Sequence, residues 1–109
     1  MKRIATIVFP FHYQKNNKKR YLKALKLAEQ SNAKVIFFTS LPKQSFEADL
    51  DKVYHHLLEL FGYFQSHYYG WKKLSFPTER IVEKGDLETT LNHFMQTNQQ
   101  EDLLIIPFD

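Results

Sequence analysis

The chain alternates between short unbroken apolar runs and longer stretches in which apolar residues return every three or four positions. In the first run, Ile4 to Phe11, both alternating sets are apolar: Ile4, Val8 and Pro10 on one side, Ala5, Ile7, Phe9 and Phe11 on the other. A strand covered on both faces shows that pattern, so a central β-strand is expected here. His12 to Asn17 is polar and reads as a loop. Asn16 or Asn17 then stands where a side-chain oxygen can cap a helix, which runs to about Ser31 and buries Tyr21, Leu22, Leu25 and Ala28. Asn32 falls where a left-handed helix cap is wanted.

Val35-Ile36-Phe37-Phe38 is a second continuous run, bounded by Thr39, Ser40 and Pro42, and reads as another interior strand. From about Phe46 to Tyr69 the period becomes helical, with Leu50, Val53, Leu57, Leu60 and Phe64 at spacings of three and four. Tyr54, Leu58, Phe61 and Tyr68 widen that stripe beyond the roughly 100° needed to cover a sheet. Part of the face therefore lacks an obvious partner within the chain. Gly70 to Pro77 is a connection, Thr78 to Val82 a third strand and Gly85-Asp86 a turn and helix cap. A third helix uses Leu87, Leu91, Phe94 and Met95 and ends near Thr97, and Leu103 to Ile106 is a fourth strand.

The order β-α-β-α-β-α-β predicts an α/β fold: a four-stranded parallel sheet with right-handed crossovers and helices on both faces. Residues 1–109 read as one domain, with no internal repeat. In doubly wound sheets, ligands bind outside the carboxyl ends of the strands where the winding reverses. If the first and last strands are neighbours, that crevice lies between His12 to Lys18 and Pro107 to Asp109.

Composition agrees with a packed domain: 43% of residues are hydrophobic, and Gly and Pro number only three and four. Cysteine is absent, which excludes disulfides and thiol chemistry and suits the reducing cytoplasm, the expected location. The apolar stretch after Met1-Lys2-Arg3 is broken by Thr6 and Pro10 and lacks a small-residue cleavage site, so neither a signal peptide nor a membrane span is expected. The net charge of +3 is unevenly spread, with +8 over residues 1–28 and −5 over the remainder. Such a basic patch attracts nucleotide phosphates, nucleic acid or acidic lipid, or is simply a solvated face of the first helix that meets an acidic face of the same or a neighbouring molecule.

Candidate chemistry is sparse. Ser40, Ser45, Ser66 and Ser75 lack the Gly-x-Ser-x-Gly setting of an exposed nucleophile, and three glycines build neither a Walker loop nor a dinucleotide fingerprint. No catalytic residues are assigned, and the chain is expected not to be an enzyme. Asp51, His55 and Glu59 share one helix face at metal-ligand spacing, but no second helix offers matching ligands, so they read as solvated surface. His55 and His56 point apart, and His67 and His93 have no assigned partners. No metal or other cofactor is expected.

Three segments together resemble the universal stress protein family. Ile7-Val8-Phe9-Pro10-Phe11-His12 resembles its first strand, and Val82-Glu83-Lys84-Gly85-Asp86-Leu87-Glu88 its third strand with the Gly-Asp-Pro turn into a helix. Glu101-Asp102-Leu103-Leu104-Ile105-Ile106 is similar to its Ala-Asp-Leu-Ile-Val strand, so the likeness spans nearly the whole chain. It implies a Rossmann-like fold and a stress-response role. The departures matter as much. Nucleotide-binding members end the first strand in Asp, where His12 stands here, and follow the fourth strand with a loop that begins Gly-x-x-Gly, where Pro107 stands here. Such glycines let backbone N–H groups approach phosphates, and proline has no N–H to offer. The resemblance therefore argues against the ATP-binding branch.

The family's fifth strand often contributes to its dimers; without it the fourth strand is left as an apolar edge, and bare edges invite pairing. A homodimer is expected, through Leu103, Leu104, Ile105 and Ile106 or through the surplus aromatic face that includes Phe61, Tyr63, Tyr68 and Trp71. Met1 is expected to be the true N-terminus, while a chain ending directly after a buried strand also fits one half of the family's tandem architectures. Two functions follow. One is a non-catalytic regulatory or interaction domain that homodimerises or docks on another protein. The other is an anion or nucleotide binder in which His12, Lys15, Asn16, Asn17, Lys18 and Lys19 hold a phosphate at the start of the first helix. Nonspecific nucleic-acid binding through Lys19, Arg20, Lys23 and Lys26 is a minor third reading, and nucleic acid is not the expected partner.

Overall fold

The computed structural model describes residues 5–13, 15, 17–69, 76–98 and 103–106, with only the backbone described at 64 and 67–69. Along the chain come β1 (Thr6–Pro10), α1 (Lys18–Ser31), β2 (Lys34–Leu41), α2 (Glu47–Tyr69), β3 (Thr78–Lys84), α3 (Leu87–Thr97) and β4 (Leu103–Ile105). The strands form one sheet in the order β3-β2-β1-β4, and each neighbouring pair is parallel. This is the α/β, Rossmann-like architecture that the apolar pattern predicts.

Residue alternation sorts the core into two layers. On one face Ile7, Phe9, Phe11, Val35 and Phe37 meet Tyr21, Ala24, Leu25 and Ala28 of α1 and Leu57 and Phe61 of α2. On the other, Val8 and Phe38 meet Leu87 and Leu91 of α3, with Ile81, Phe94, Met95 and Leu103 packed around them. Aromatic rings fill the thicker layer. Tyr21 and Phe61 stack at 4.6 Å and 4°, and Phe37 lies 4.6 Å from the same Phe61 ring. Each such pair adds about 0.5–1.5 kcal/mol beyond the area it buries.

Helix ends follow local chemistry. Asn32 closes α1 in the left-handed region (φ 54°), where Asn is well tolerated. At the start of α2 the Asp49 carboxylate accepts a hydrogen bond from the Phe46 N–H at 2.8 Å, the return half of a capping box. Gly85 leaves β3 at φ +124°, and its N–H bonds the Leu41 carbonyl at 2.7 Å. Asp86 then caps α3, accepting from the Thr89 N–H at 3.1 Å.

β3 runs two residues past the expected Val82, because β2 continues to Leu41 and pairs Ser40 with Glu83 and Leu41 with Lys84. It is an edge strand rich in charge. Glu79 pairs with Lys34 at 2.7 Å and Lys84 with Glu47 at 2.9 Å. These exposed pairs contribute about 1 kcal/mol or less, but charge along an edge discourages unwanted strand pairing. The opposite edge, β4, carries only apolar side chains.

Candidate functional site

β1 and β4 are neighbours, as the crevice expected at their carboxyl ends requires; the far side of that crevice, Pro107 to Asp109, lies outside the described residues. A buried arginine stands at these strand ends. Arg20, counted among the surface bases by sequence, is only 8% exposed. It stands on the same helical line as Ala24 and Ala28, both fully buried, so the backbone of α1 turns it inward. Its Nη2 donates to the Pro10 carbonyl at 2.6 Å and to the Ile106 carbonyl at 3.3 Å, and its guanidinium lies 4.7 Å from the centre of the Phe9 ring. One side chain thus ties together the ends of both strands. Nearby, the buried Thr39 hydroxyl donates to the Phe11 carbonyl at 2.6 Å.

The loop before α1 places the other predicted ligand residues at the rim. His12, Lys15, Lys18 and Lys19 are exposed, Asn17 is buried, and Asn16 lies outside the described residues. Asn17 occupies the cap position, but its side chain makes no capping bond. Its amide instead donates to the carbonyls of His12 and Lys15, each at 2.9 Å, and so closes the loop on itself. α1 has no acid in its first turn; the lysines there sit at the positive end of the helix dipole, an unfavourable placement that an anion would relieve. The recess beside this loop, lined by His12, Tyr13, Ser40 and Pro42, holds about 180 Å³, less than the ~300–1,000 Å³ of ordinary ligand pockets.

A larger open groove of about 550 Å³ runs between β3 and α3, past Glu83, Lys84, Thr90, His93 and Thr97. Among the described residues no group of three or more His, Cys, Asp or Glu gathers to hold a metal ion. Asp51, His55 and Glu59 are all exposed on α2. No helix among the described residues is long and apolar enough to cross a membrane.

The residues assigned to a dimer interface divide. Phe61 is 7% exposed and belongs to the aromatic core, whereas Tyr63 is 61% exposed. The side chain of Tyr68, and Trp71 altogether, lie outside the described residues. Along β4, Leu103 and Leu104 are half-buried and Ile105 is 39% exposed, while Ile106 is buried and donates its N–H to the Val8 carbonyl at 2.9 Å. Phe46, which the apolar pattern does not single out, is 76% exposed.

Fold and crevice together define a Rossmann-like α/β domain whose strand ends are bridged by its own arginine. No protein-family model and no curated protein sequence matches the chain. Among solved structures it is similar to the universal stress protein UspA from Lactobacillus plantarum, with a TM-score of 0.60 over 94% of this chain and 77% of that one. The two share 13% sequence identity, so the likeness shows the fold.

Proposed function

We propose that this chain is a non-catalytic regulatory or interaction domain of the universal stress protein kind, acting in the cytoplasm by homodimerising or by docking on another protein. It does not use ATP. The observation that carries this reading is Arg20: its guanidinium occupies the carboxyl ends of β1 and β4, where a doubly wound sheet would otherwise receive a ligand. The small recess beside His12 supports it too. A ligand that binds the folded state at a hundred times its dissociation constant raises stability by about 2.7 kcal/mol. Millimolar ATP should therefore leave the unfolding midpoint unchanged, and a rise of several degrees would overturn the reading.

One feature favours a second reading, an anion held at the start of α1. Asn17 is turned away from capping, and Lys15, Lys18 and Lys19 surround that end of the helix without an acid in its first turn. Inorganic phosphate should then stabilise the protein, and Lys15→Ala with Lys19→Ala should abolish the effect while leaving the fold intact.

A further inference from the structure

The outer flank of α2 carries three residues at a spacing of four: Tyr54, Leu58 and Gly62. Tyr54 is 37% and Leu58 46% exposed, large values for apolar side chains on one line. Gly62 is exposed, and a Cβ built on it would meet nothing within 4 Å. A glycine inside an exposed helix weakens that helix, and no neighbour among the described residues gives it a packing role. Tyr54, by contrast, is held in place. The Arg80 guanidinium stacks 4.4 Å from its ring centre and donates to its hydroxyl at 3.2 Å.

Leu58 is the central residue of α2. A two-fold axis through it overlays the whole helix on an antiparallel copy, setting Tyr54 against the partner's Gly62 and Leu58 against the partner's Leu58. A fixed ring on each copy thus faces a position without a side chain, a knob and a hole supplied by the same line of residues. Charge favours the same arrangement. The first half of α2 carries Glu47, Asp49 and Asp51, and its last eight residues, 62–69, carry no acid. Antiparallel copies keep these three acids apart and oppose the helix dipoles, leaving Glu59 near its own copy beside the axis, whereas parallel copies would set all four acids beside their counterparts.

We propose that the homodimer contact is this line, α2 against α2 of a second copy, centred on Leu58 rather than on β4. The inference rests on the homodimer reading given above and assigns its surface. The footprint, ~35 Å by ~10 Å for such a helix or ~700 Å² over both copies, is below the ~1,200 Å² at which standard specific interfaces begin, so a weak dimer that dissociates at micromolar concentrations is expected.

The chain has no cysteine, so Leu58→Cys introduces a single thiol. Mild oxidation should give a disulfide-linked dimer in high yield, because residue 58 meets its own copy, while Glu88→Cys on α3 should not cross-link. In sedimentation, Leu58→Glu and Leu58→Lys should each weaken dimerisation by about 100-fold or more, and mixing the two should restore a dimer. Gly62→Ala should weaken the dimer while raising the stability of the monomeric fold, two opposite effects that general misfolding does not produce. A dimer that survives Leu58→Glu unchanged would overturn the α2 contact and leave the homodimer standing. A wild-type monomer at ~100 µM, well above the expected dissociation range, would overturn both.

Discussion

Replacing Arg20 tests whether the crevice is built into the fold or open to a ligand. Arg20→Met keeps a long apolar side chain at this position and removes the guanidinium. The 2.6 Å bond to the Pro10 carbonyl is a charge-assisted one in a buried setting, worth about 1.5–3 kcal/mol. The 3.3 Å bond to Ile106 is longer and contributes less. Loss of the contact with the Phe9 ring adds about 1 kcal/mol, and relief from burying a cation offsets part of the total. The net expectation is a loss of about 2–4 kcal/mol, or roughly 9–17 °C in a domain of this size. Arg20→Lys should recover only a fraction, since an ammonium cannot span both carbonyls with a planar fork. Urea unfolding at constant m gives the stability directly. A change within about 0.5 kcal/mol, the range of ordinary surface substitutions, would refute the idea that Arg20 joins β1 to β4 and would return its charge to the solvent.

Thr39→Val removes the buried hydroxyl bonded to the Phe11 carbonyl at 2.6 Å; chemical unfolding should show a loss of about 1–2 kcal/mol. Asp86→Ala removes the cap of α3 and should cost about 1 kcal/mol, with Asp86→Asn retaining most of it in the same assay.

Much of this fold is written in β1 and β2, whose apolar sets are filled on both faces, as only interior strands require. The Gly85-Asp86 turn and the left-handed Asn32 were equally readable, because each satisfies a backbone need that few other residues meet as well. The site was less so. Arg20 sits in a run of bases, and composition treats it like its lysine neighbours; its place on the line of Ala24 and Ala28 was the available signal. Asn17 was correctly placed at the helix start but its chemistry is inverted, since loop carbonyls compete for its amide. Phe61 was placed on a surface by its share of a wide stripe, yet it stacks on Tyr21 in the core. How far a stripe is buried depends on the ring opposite it, which periodicity does not reveal.

Native mass spectrometry of the purified protein at ~100 µM, above the micromolar dissociation range expected of the α2 contact, alone and with ATP, is the decisive experiment. A dimer mass with no nucleotide retained and none taken up is expected. A monomer carrying one ATP would contradict it, and would mean that Arg20 yields the crevice to a ligand.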